Sequence, residues 1–560
     1  MGPSDWQDMP GGHDQTLRPF LWRAEKLFPD REIVSRTHEG ITRYDYDDYA
    51  DRVAQLAGAL DAAGVGDGDR VGTICWNHHR HFETYFGVPS SGAQLHTINP
   101  LLPDHHIQYI VENADDRVLF VDPSFVPKVA GAYDPDAFDG VEQFVVMGSE
   151  VPDTELAPIT DYESFIGDHS TEYDWPELSG DQPAGMCYTS GTTGKPKGVE
   201  YTQRMLWAHT MATLPDSGIG IDADEVTMPV VPMFHVNAWG MPFSTTAAGA
   251  KHVYPGPSPE PADLAHLIEE EGVTLSAGVP TVWLGLLEYL EENDADLSTL
   301  DRIIIGGSAA PESLIRTYDE EYDVDVIHAW GMTEMSPIGT VAKLKPEMES
   351  WDGDDRYAKQ AKQGLLVPGL EMKVIDESGD EVPWNGEDFG ELWVRGPWVT
   401  KEYFERPEAN QEDFEDGWLK TGDVVTVDED GYVQIVDRAK DVIKSGGEWI
   451  SSVELENALM AHDDVSEATV IGVNHERWQE RPVAFVVPTQ DAGDDLETEL
   501  TDMIGEEYPT WWVPDDVVHI DEIPKTATGK FSKKTLREQY GDDSDLVEGK
   551  VPEEAAPEED

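Results

Sequence analysis

The chain has 560 residues and carries 113 acidic against 38 basic side chains, a formal net charge of −75. Negative charge on this scale disfavours non-specific binding to nucleic-acid phosphates and docking on an anionic membrane surface. Hydrophobic residues make up 39% of the sequence, which is enough for sizeable cores and excludes a wholly disordered acidic chain.

The acidic residues occur in nearly every segment. High salt screens the repulsion within such a chain, so the distribution predicts a halophilic surface rather than a face for one basic partner. Residues 541–560 are expected to form a solvated acidic tail. No basic and apolar leader opens the chain, no apolar run approaches a membrane span, and the two cysteines, Cys75 and Cys187, define no disulfide framework. We therefore expect a cytoplasmic protein with no integral membrane segment.

Short apolar runs alternate with amphipathic stretches as far as about Gly369. This alternation predicts an α/β architecture with largely parallel sheets. The predicted helices are Tyr49–Ala63, Pro261–Glu271 and Thr281–Glu292. The predicted strands are Arg70–Cys75, Arg117–Val121, Gln143–Met147, His252–Tyr254, Thr274–Ala277, Arg302–Ile305 and Val324–His328.

Beyond Gly369 the pattern changes to short strands separated by turns. The acidic turns Asp376–Gly379 and Asp428–Gly431 have residues typical of hairpin turns. Their Asp spacing misses that of a calcium-binding loop, so we expect turns rather than calcium sites. A smaller α+β region is predicted from about Arg438 to Tyr540. The strands predicted before it are Leu370–Ile375, Gly390–Arg395, Val424–Val427 and Tyr432–Val436.

The segment Tyr188–Val199 reads YTSGTTGKPKGV and is the strongest motif. Its glycines let the backbone approach an anion, and its hydroxyls, N–H groups and lysines can surround phosphate oxygens. It is not a Walker A loop, because Pro196 follows Lys195 where that loop has Ser or Thr. A flexible linker would need neither the lysines nor the hydrophobic flanks, so the segment predicts phosphate binding.

Two further clusters could complete a nucleotide site. Trp330–Glu334 (WGMTE) follows an apolar strand expected to end at Ile327, and ligand residues gather at such strand ends. Its ring, hydroxyl and carboxylate could stack a base, bind phosphate and hold Mg²⁺. Asp423 could bind ribose hydroxyls and Arg438 a ribose or phosphate, although a purely structural Asp–Arg pair is an equal alternative.

Basic residues concentrate near the C-terminus. The stretch Pro524–Lys530 (PKTATGK) puts a lysine directly after a glycine, where it could act as an electrostatic catalyst. In so acidic a protein this concentration predicts phosphate handling. Thirteen positions hold five of the 38 basic residues, namely Lys525, Lys530, Lys533, Lys534 and Arg537.

Together with the turn Gly306–Pro311 (GGSAAP), these motifs resemble those of the adenylate-forming superfamily of acyl-CoA synthetases, luciferases and peptide-synthetase adenylation domains. The resemblance runs from about Thr16 to Tyr540, with the motifs in the family's order. Two stretches, His96–Pro100 with the residues after it and Pro232–Trp239, are similar to those of medium-chain acyl-CoA synthetases and methylthioalkanoate-CoA ligases.

The resemblance implies a large multi-subdomain α/β N-terminal domain with a distorted β-barrel portion over residues 1–437. It further implies a small mobile α+β domain over residues 438–540. The implied reaction has two halves: a carboxylate attacks the α-phosphate of Mg·ATP and releases pyrophosphate, and CoA then displaces AMP from the acyl adenylate. A small carboxylic acid, ATP, Mg²⁺ and CoA are therefore the expected ligands, with a homodimer by family analogy.

The resemblance also assigns roles to nucleotide-site residues. The implied ATP phosphate contacts are Thr189, Ser190, Gly191, Thr192, Thr193, Gly194 and Lys195. Adenine and the α-phosphate would lie against Ala329, Trp330, Gly331, Met332 and Thr333, and the ribose against Asp423 and Arg438. Thr192 and Glu334 would contact Mg²⁺, and Lys530 would bridge the carboxylate and the α-phosphate. Many relatives have Tyr where Trp330 stands, so stacking is retained but a hydroxyl contact to the base is lost.

The remaining implied roles concern the acid and CoA. Lys440 falls at the hinge, and rotation there would replace Lys530 by Lys444 and the CoA-binding Ser445, Gly446 and Gly447. His235 is expected beside the acyl carboxylate rather than simply packed in the core, and Trp239 is expected to limit acyl length. The implied acyl-binding set is His235, Trp239, Gly306, Gly307 and Trp330.

Three points stay open at the sequence level. An enzyme of the same superfamily could instead load the activated acid onto a separate carrier protein. A non-catalytic nucleotide-binding or scaffold protein would be favoured by loss of Lys530, Glu334 or Asp423, but all three are present. The cluster Cys75, His78, His79 and His81 fits no standard zinc spacing, and we expect a surface loop or dimer contact there.

Overall fold

The computed structural model describes residues 14–189, 195–348, 350–376, 378–438, 441–445, 448–462, 464–475, 477–489, 492–493, 495–525, 531–541 and 546–547. Several expected site residues lie outside these ranges: Ser190, Gly191, Thr192, Thr193, Gly194, Lys440, Gly446, Gly447 and Lys530.

The strands in the described ranges are, in chain order, β1 (Glu32–Thr37), β2 (Gly40–Asp45), β3 (Arg70–Ile74), β4 (Gln94–Thr97), β5 (Asp116–Val121), β6 (Gln143–Val146), β7 (Ile159–Asp161), β8 (Pro183–Tyr188), β9 (Gly198–Thr202), β10 (Val226–Pro229), β11 (Lys251–Tyr254), β12 (Leu275–Gly278), β13 (Arg302–Gly306), β14 (Asp325–Gly331), β15 (Ile338–Val341), β16 (Leu365–Leu366), β17 (Glu371–Ile375), β18 (Phe389–Arg395), β19 (Phe414–Glu415), β20 (Trp418–Val427), β21 (Val433–Arg438), β22 (Ile443–Ser445), β23 (Glu448–Ile450), β24 (Val465–His475), β25 (Gln479–Pro488) and β26 (Asp516–His519).

The helices in the same ranges are α1 (Arg18–Leu27), α2 (Tyr46–Ala62), α3 (His79–Ser91), α4 (Asp104–Ala114), α5 (Val126–Ala132), α6 (Tyr162–Gly167), α7 (Gln203–Thr213), α8 (Met241–Ala248), α9 (Pro261–Glu271), α10 (Pro280–Glu292), α11 (Glu312–Tyr322), α12 (Gly353–Ala361), α13 (Pro407–Asp413), α14 (Ser452–Met460), α15 (Leu496–Glu507) and α16 (Lys533–Tyr540).

Two mainly parallel sheets form most of the large N-terminal domain. One has the order β16-β15-β14-β13-β12-β10-β11-β1-β2, and the other has the order β7-β6-β5-β3-β4-β8-β9. Helices connect the parallel strands, as crossovers between parallel neighbours require. The predicted α/β architecture with largely parallel sheets is confirmed.

An antiparallel sheet follows, with the order β17-β18-β20-β19 and with β21 on β20. The acidic turn Asp428–Gly431 joins β20 to β21, as predicted, and Gly431 supplies the positive φ of 86° that closes it. A small C-terminal domain then forms around the sheet β23-β22-β25-β24, with β26 on β25 and helices α14 and α16 against β24. This confirms the predicted change to α+β structure.

Local sequence explains where the helices begin. Helix α9 has the predicted bounds because Glu260 at the N-cap and Asp263 at the third helical position form a capping box, and Gly272 ends the helix in the left-handed region. Helix α2 begins three residues before the predicted start, because the Asp45 side chain accepts a hydrogen bond from Asp48 N at 3.0 Å and caps it.

Three expectations require correction. Strand β14 does not end at Ile327 but continues to Gly331, because β15 pairs with its last residues. The Cys75–His81 segment is not a surface loop: Cys75, His78, His79 and His81 are all buried beneath the large domain's surface. The segment after Tyr540 is not wholly solvated, since Val547 is buried against the C-terminal domain.

The largest hydrophobic cluster spans the three sheets of the large domain, and further clusters lie against its two parallel sheets. Two separate clusters fill the C-terminal domain. No helix within the described ranges is both long and apolar enough to cross a membrane. The large-domain core therefore fixes the two parallel sheets and the antiparallel sheet relative to one another.

Candidate active site

A cavity of about 1670 Å³ lies at the carboxyl ends of the parallel strands β12, β13 and β14. The residues that follow these strands line it, in the position where α/β sheets bind ligands. The antiparallel sheet contributes Thr421–Asp423, and the C-terminal domain closes the cavity with the start of α16. One continuous space thus collects the separate sequence motifs.

The glycine- and hydroxyl-rich segment leaves β8 and returns into β9. Thr189 N donates to Lys197 O at 3.0 Å, and Lys197 N donates to Thr189 Oγ1 at 3.2 Å, so the loop's two ends are fastened together. Lys195 is exposed, with its ammonium 4.5 Å from the Tyr109 ring centre. Lys197 pairs with Asp413 at 2.5 Å. Thr189, Lys195 and Lys197 all line the cavity.

Trp330, Asp423 and Arg438 meet on one wall. Trp330 Nε1 donates to Asp423 Oδ2 at 2.8 Å, and Arg438 Nε lies 2.6 Å from Asp423 Oδ1. Asp423 is 1% exposed, and its charge raises the pKa of the Arg438 guanidinium. The structural Asp–Arg pair that the sequence analysis gave as an alternative to ribose binding is therefore present. The Asp423 carboxylate also lines the cavity, where it can accept hydrogen bonds from paired hydroxyls.

Glu334 lies at the base of the same wall, within the short 3₁₀ turn that follows β14. Tyr403 OH donates to Glu334 Oε1 at 2.7 Å, and this hydrogen bond orients the carboxylate, which lines the cavity. Burial and this carboxylate raise the pKa of Tyr403, so the phenol remains a donor. The sequence analysis missed Tyr403, which lies in the irregular segment between β18 and α13, where no pattern marks it.

Another part of the cavity lining is apolar. Its lining includes His235 and Trp239, whose indole packs on Gly306: a Cβ there would lie 3.2 Å from Trp239 Cη2. Gly307 follows with a φ of 85°. The aliphatic walls are Ile219, Ile221, Val231, Met241, Val279, Ile304 and Ile338, with the hydroxyls of Thr213 and Ser244 among them. Of these residues, sequence reasoning identified only Val279, as one that sets the depth of the pocket.

Trp239 belongs to a left-handed turn, Val236–Gly240. Val236, Asn237, Ala238 and Trp239 have φ values of 40°, 60°, 47° and 55°, and Gly240 follows at 79°. Left-handed backbone costs non-glycine residues roughly 1–2 kcal/mol each. Such a turn persists only where surrounding contacts hold it.

The chain that enters the turn is held partly by the Cys75–His81 segment, which the sequence analysis expected to be a surface loop or dimer contact. Asn77 Nδ2 donates to Pro229 O and Val231 O at 2.8 and 2.9 Å, and Asn77 Oδ1 accepts from Met233 N at 2.7 Å. Tyr85 OH donates to Met233 O at 2.5 Å. Asn77 and the buried α3 therefore support the chain that enters the turn.

The C-terminal domain lines the cavity with Phe531, Ser532, Lys533, Lys534 and Arg537. These residues directly follow Lys530, which lies outside the described residues. Lys533 pairs with Glu456 at 2.8 Å, and Arg537 pairs with Asp441. The predicted basic cluster thus contributes to the cavity, although part of its charge is already matched by acids.

The residues expected to serve CoA are not brought to the cavity in this conformation. Lys444 is exposed on β22, where its backbone N–H donates to Glu480 at 2.9 Å. The Ser445 hydroxyl is buried and accepts a hydrogen bond from Arg481 at 3.1 Å. Neither residue lines the cavity, and their neighbours Gly446 and Gly447 lie outside the described ranges.

Comparison with known proteins places this geometry in a family. The model of the AMP-binding enzymes matches residues 21–404, and that of the AMP-binding enzyme C-terminal domain matches residues 454–530. The chain is similar to the structure of an anthranilate CoA ligase, AuaEII, in complex with anthranoyl-AMP. Its TM-score is 0.83 at 25% identity, over 96% of this chain and 98% of that one.

Curated relatives match over nearly the full length. A long-chain-fatty-acid–CoA ligase of Thermus thermophilus is 45% identical, over 94% of this chain and 95% of its own. A 3-methylmercaptopropionyl-CoA ligase of Ruegeria lacuscaerulensis is 43% identical, over 94% and 97%. A medium-chain-fatty-acid–CoA ligase of Ectopseudomonas oleovorans is 40% identical, over 93% and 95%.

The chain therefore belongs to the AMP-binding enzyme family, and within it to the acid–CoA ligases that form AMP. Enzymes of this class use ATP, Mg²⁺ and CoA. The carrier-loading alternative is less supported, because these three relatives are all CoA ligases.

Proposed function

We propose that the cavity converts an alkyl carboxylic acid and ATP into an acyl adenylate, which CoA then takes up as a thioester. The observation that carries this proposal is the continuity of the cavity. Its polar end holds Trp330, Asp423 and Glu334, and its apolar end holds His235, Trp239 and Ile304. An acid lying across it would place its carboxylate where the two ends meet.

The nucleotide roles follow from the groups at the polar end. Thr189 to Lys195 surround the ATP phosphates, with backbone N–H groups and one lysine charge. Ala329–Thr333 flank adenine and the α-phosphate, Trp330 offering a ring face. Asp423 accepts the ribose hydroxyls, and Arg438 adds positive charge beside it.

The chemical step requires charge stabilisation rather than a covalent enzyme group. A carboxylate oxygen attacks the α-phosphorus, the bond to the bridging oxygen breaks, and pyrophosphate leaves with that oxygen. Lys530 neutralises the charge shared by carboxylate and α-phosphate, and His235 orients the carboxylate. Lys530→Ala should abolish adenylate formation but spare thioester formation from pre-made acyl adenylate. Equal loss in both half-reactions would contradict this division.

The donor set at the polar end fits Mg²⁺. Proteins bind this ion through one or two carboxylates together with substrate phosphates, and Glu334 presents a carboxylate to the cavity. Thr192 is the proposed second contact and lies outside the described residues. Bound with ATP, the ion supplies charge neutralisation of the phosphates. Glu334→Gln should raise the Mg²⁺ concentration for half-maximal binding of ATP, measured by fluorescence titration; an unchanged value would exclude the role.

The class of acid is an unbranched alkyl or thioether acid of medium to long chain. Aliphatic walls favour such a chain. The relatives that are 40–45% identical are named as ligases of long-chain, medium-chain and 3-methylmercaptopropionyl acids. The Trp239 indole covers Gly306 and would bound the space open to the chain.

We further propose that residues 1–437 and 438–540 are the two moving parts. The described conformation supports adenylation, because residues just after Lys530 line the cavity while Lys444 and Ser445 do not. Rotation at Lys440 would exchange the two sets and bring Ser445–Gly447 to the pantetheine arm of CoA. One cavity would then serve both half-reactions.

The proposed reaction is tested by pyrophosphate release with a panel of acids, with and without CoA, at high salt. Pyrophosphate, AMP and a CoA thioester in equal amounts support the ligase. Adenylate that forms without a thioester supports the carrier-loading enzyme, and no turnover with any acid overturns both.

We infer that the charge of −75 is an adaptation to a saline cytoplasm. Repulsion within the folded chain is screened by salt, so stability should rise with KCl. A melting temperature that is unchanged between about 0.2 and 2 M KCl would contradict this account.

A homodimer remains the proposed assembly, and sedimentation at high salt distinguishes it from a monomer.

A further inference from the structure

The left-handed turn Val236–Gly240 carries Trp239 into the cavity and is held from its far end by a buried histidine. His209, on α7, is 1% exposed and does not itself line the cavity. Its imidazole packs directly on Gly240: a Cβ at Gly240 would lie 2.5 Å from His209 Cε1 and 2.8 Å from Nδ1. Gly240 is thus required both by its positive φ and by this ring.

The other side of the same ring meets the nucleotide wall. Ile338 N, the first amide of β15, donates to His209 Nε2 at 3.2 Å. Strand β15 pairs with the end of β14, where Trp330 lies opposite Thr340 and Gly331 opposite Ile338. The Trp330 ring covers Gly339, so β15 supports the side chain that reaches Asp423.

The state of the imidazole suits this double contact. Burial lowers the pKa of His209 to about 3, so the ring is neutral at physiological pH. Because Nε2 accepts a hydrogen bond, Nδ1 carries the proton. Trp398 packs edge-on against the ring at 6.3 Å and donates Nε1 to Ile338 O at 2.9 Å, which fixes Ile338 from its other polar group.

We propose that His209 is a positioning residue that sets acyl chain-length selectivity by holding Trp239 through Gly240 and holding the nucleotide wall through Ile338. This inference rests on the proposed function, since it takes the acyl chain to run past Trp239. It separates two contacts of one side chain: the Cε1–Nδ1 edge of the ring contacts Gly240 on the acyl side, and Nε2 accepts the hydrogen bond on the nucleotide side.

Two substitutions separate these contacts. His209→Gln keeps an acceptor for Ile338 N but removes the ring from Gly240, and His209→Phe keeps the ring but removes the acceptor. The Gln variant should change the ratio of kcat/KM between a twelve-carbon and a six-carbon acid by about fivefold or more, with KM for ATP nearly unchanged. The Phe variant should raise KM for ATP about fivefold and leave that ratio nearly unchanged.

A matched control is His252→Gln. His252 is also buried, with a pKa lowered to about 3, but it lies in the aromatic core of Tyr46, Phe82 and Tyr254. It should lower stability without changing either kinetic readout. If both His209 variants lower the rates with all acids by one factor, or match the His252 variant, His209 is merely structural and the proposal fails.

A readout independent of activity keeps the inference distinct from the proposed function. Amide hydrogen exchange over residues 236–241 should become about tenfold faster in His209→Gln than in the wild type, because the turn loses its packing partner. Unchanged exchange overturns the inference even in an enzyme that makes thioester. Failure of the wild type to make any thioester overturns the proposed function instead.

Gly240→Ala tests the contact from the other side if the His209 variants fold poorly. Its Cβ must displace the imidazole, so the selectivity ratio should shift as in His209→Gln. Combining the two substitutions should give about the ratio of His209→Gln alone, because the collision is already relieved. Independent, additive shifts would contradict a shared contact.

Discussion

Trp330 Nε1 donates a hydrogen bond to Asp423 Oδ2 at 2.8 Å and so links the end of β14 to β20. The residue that lacks the phenol hydroxyl of many relatives therefore uses its indole N–H to orient the carboxylate proposed to hold ribose. Trp330 thus lacks a hydroxyl for the base but makes a hydrogen bond to Asp423 that a phenylalanine at this position could not make.

Trp330→Phe tests this relationship. A hydrogen bond to a charged group contributes about 1.5–3 kcal/mol, so its loss should raise KM for ATP about tenfold or more. Steady-state kinetics at saturating acid and CoA measure the change. Trp283→Phe is the control, because the buried Trp283 Nε1 has no acceptor among the described residues. Equal KM values in the two variants would show that the indole N–H does not orient Asp423.

Asn77 is predicted to support the acyl side. Asn77→Leu leaves Pro229 O, Val231 O and Met233 N without their partner, and each buried unpaired group costs about 1–3 kcal/mol. The melting temperature should fall, and KM for the acid should rise more than KM for ATP. Asn77→Asp keeps only the acceptor for Met233 N and should be impaired as well. Full activity in both variants would refute the support role.

Much of this arrangement could be predicted from the sequence, because its motifs are local. Residue type and order identify the segments Tyr188–Lys197 and Trp330–Glu334 and the residue Asp423. Capping residues define both ends of α9 as predicted. Asn77 and His209 could not be predicted. Their roles depend on backbone groups more than 100 positions away, such as Val231 for Asn77 and Ile338 for His209.

The corrected elements have physical reasons of the same kind. The Cys75–His81 cluster reads as polar, yet α3 is buried because helix α2 and the strands β4 and β8 pack against it. Strand β14 extends beyond Ile327 because β15 pairs with its last residues, Ala329, Trp330 and Gly331. Tertiary contacts outweigh local sequence pattern in both cases.

Trp239→Gly should shift preference toward longer acids. The indole fills space beside Gly306 that a longer tail would occupy, and an enlarged hydrophobic pocket changes selectivity by about 10- to 200-fold per fitted group at most. The ratio of kcat/KM for sixteen- and eight-carbon acids measures the shift. An unchanged ratio would remove Trp239 from the pocket's length limit.

Stability should fall on acidification from near neutrality. Burial lowers the pKa of His81, His209 and His252 to about 3, below the ordinary value of about 6.5. The unfolded chain therefore binds protons first, so the free energy of unfolding is complete above pH 6.5 and declines as pH falls toward 3. The slope for three groups is about 4 kcal/mol per pH unit.

Denaturant unfolding at 2 M KCl, where surface repulsion is screened, measures this slope. His252→Phe removes one such group and should reduce the slope by about 1.4 kcal/mol per pH unit. A stability that is constant between pH 6.5 and 4.5 would show that these histidines are not held neutral in the folded protein.

The central claim is that the carboxylate attacks the α-phosphate of ATP. Turnover of an ¹⁸O-carboxylate-labelled medium-chain acid with ATP, Mg²⁺ and CoA tests it, with mass spectrometry of the nucleotide and phosphate products. We predict one ¹⁸O atom in AMP, unlabelled pyrophosphate and one acyl-CoA for each AMP. Label in inorganic phosphate together with ADP would show an acyl phosphate instead and would contradict the account.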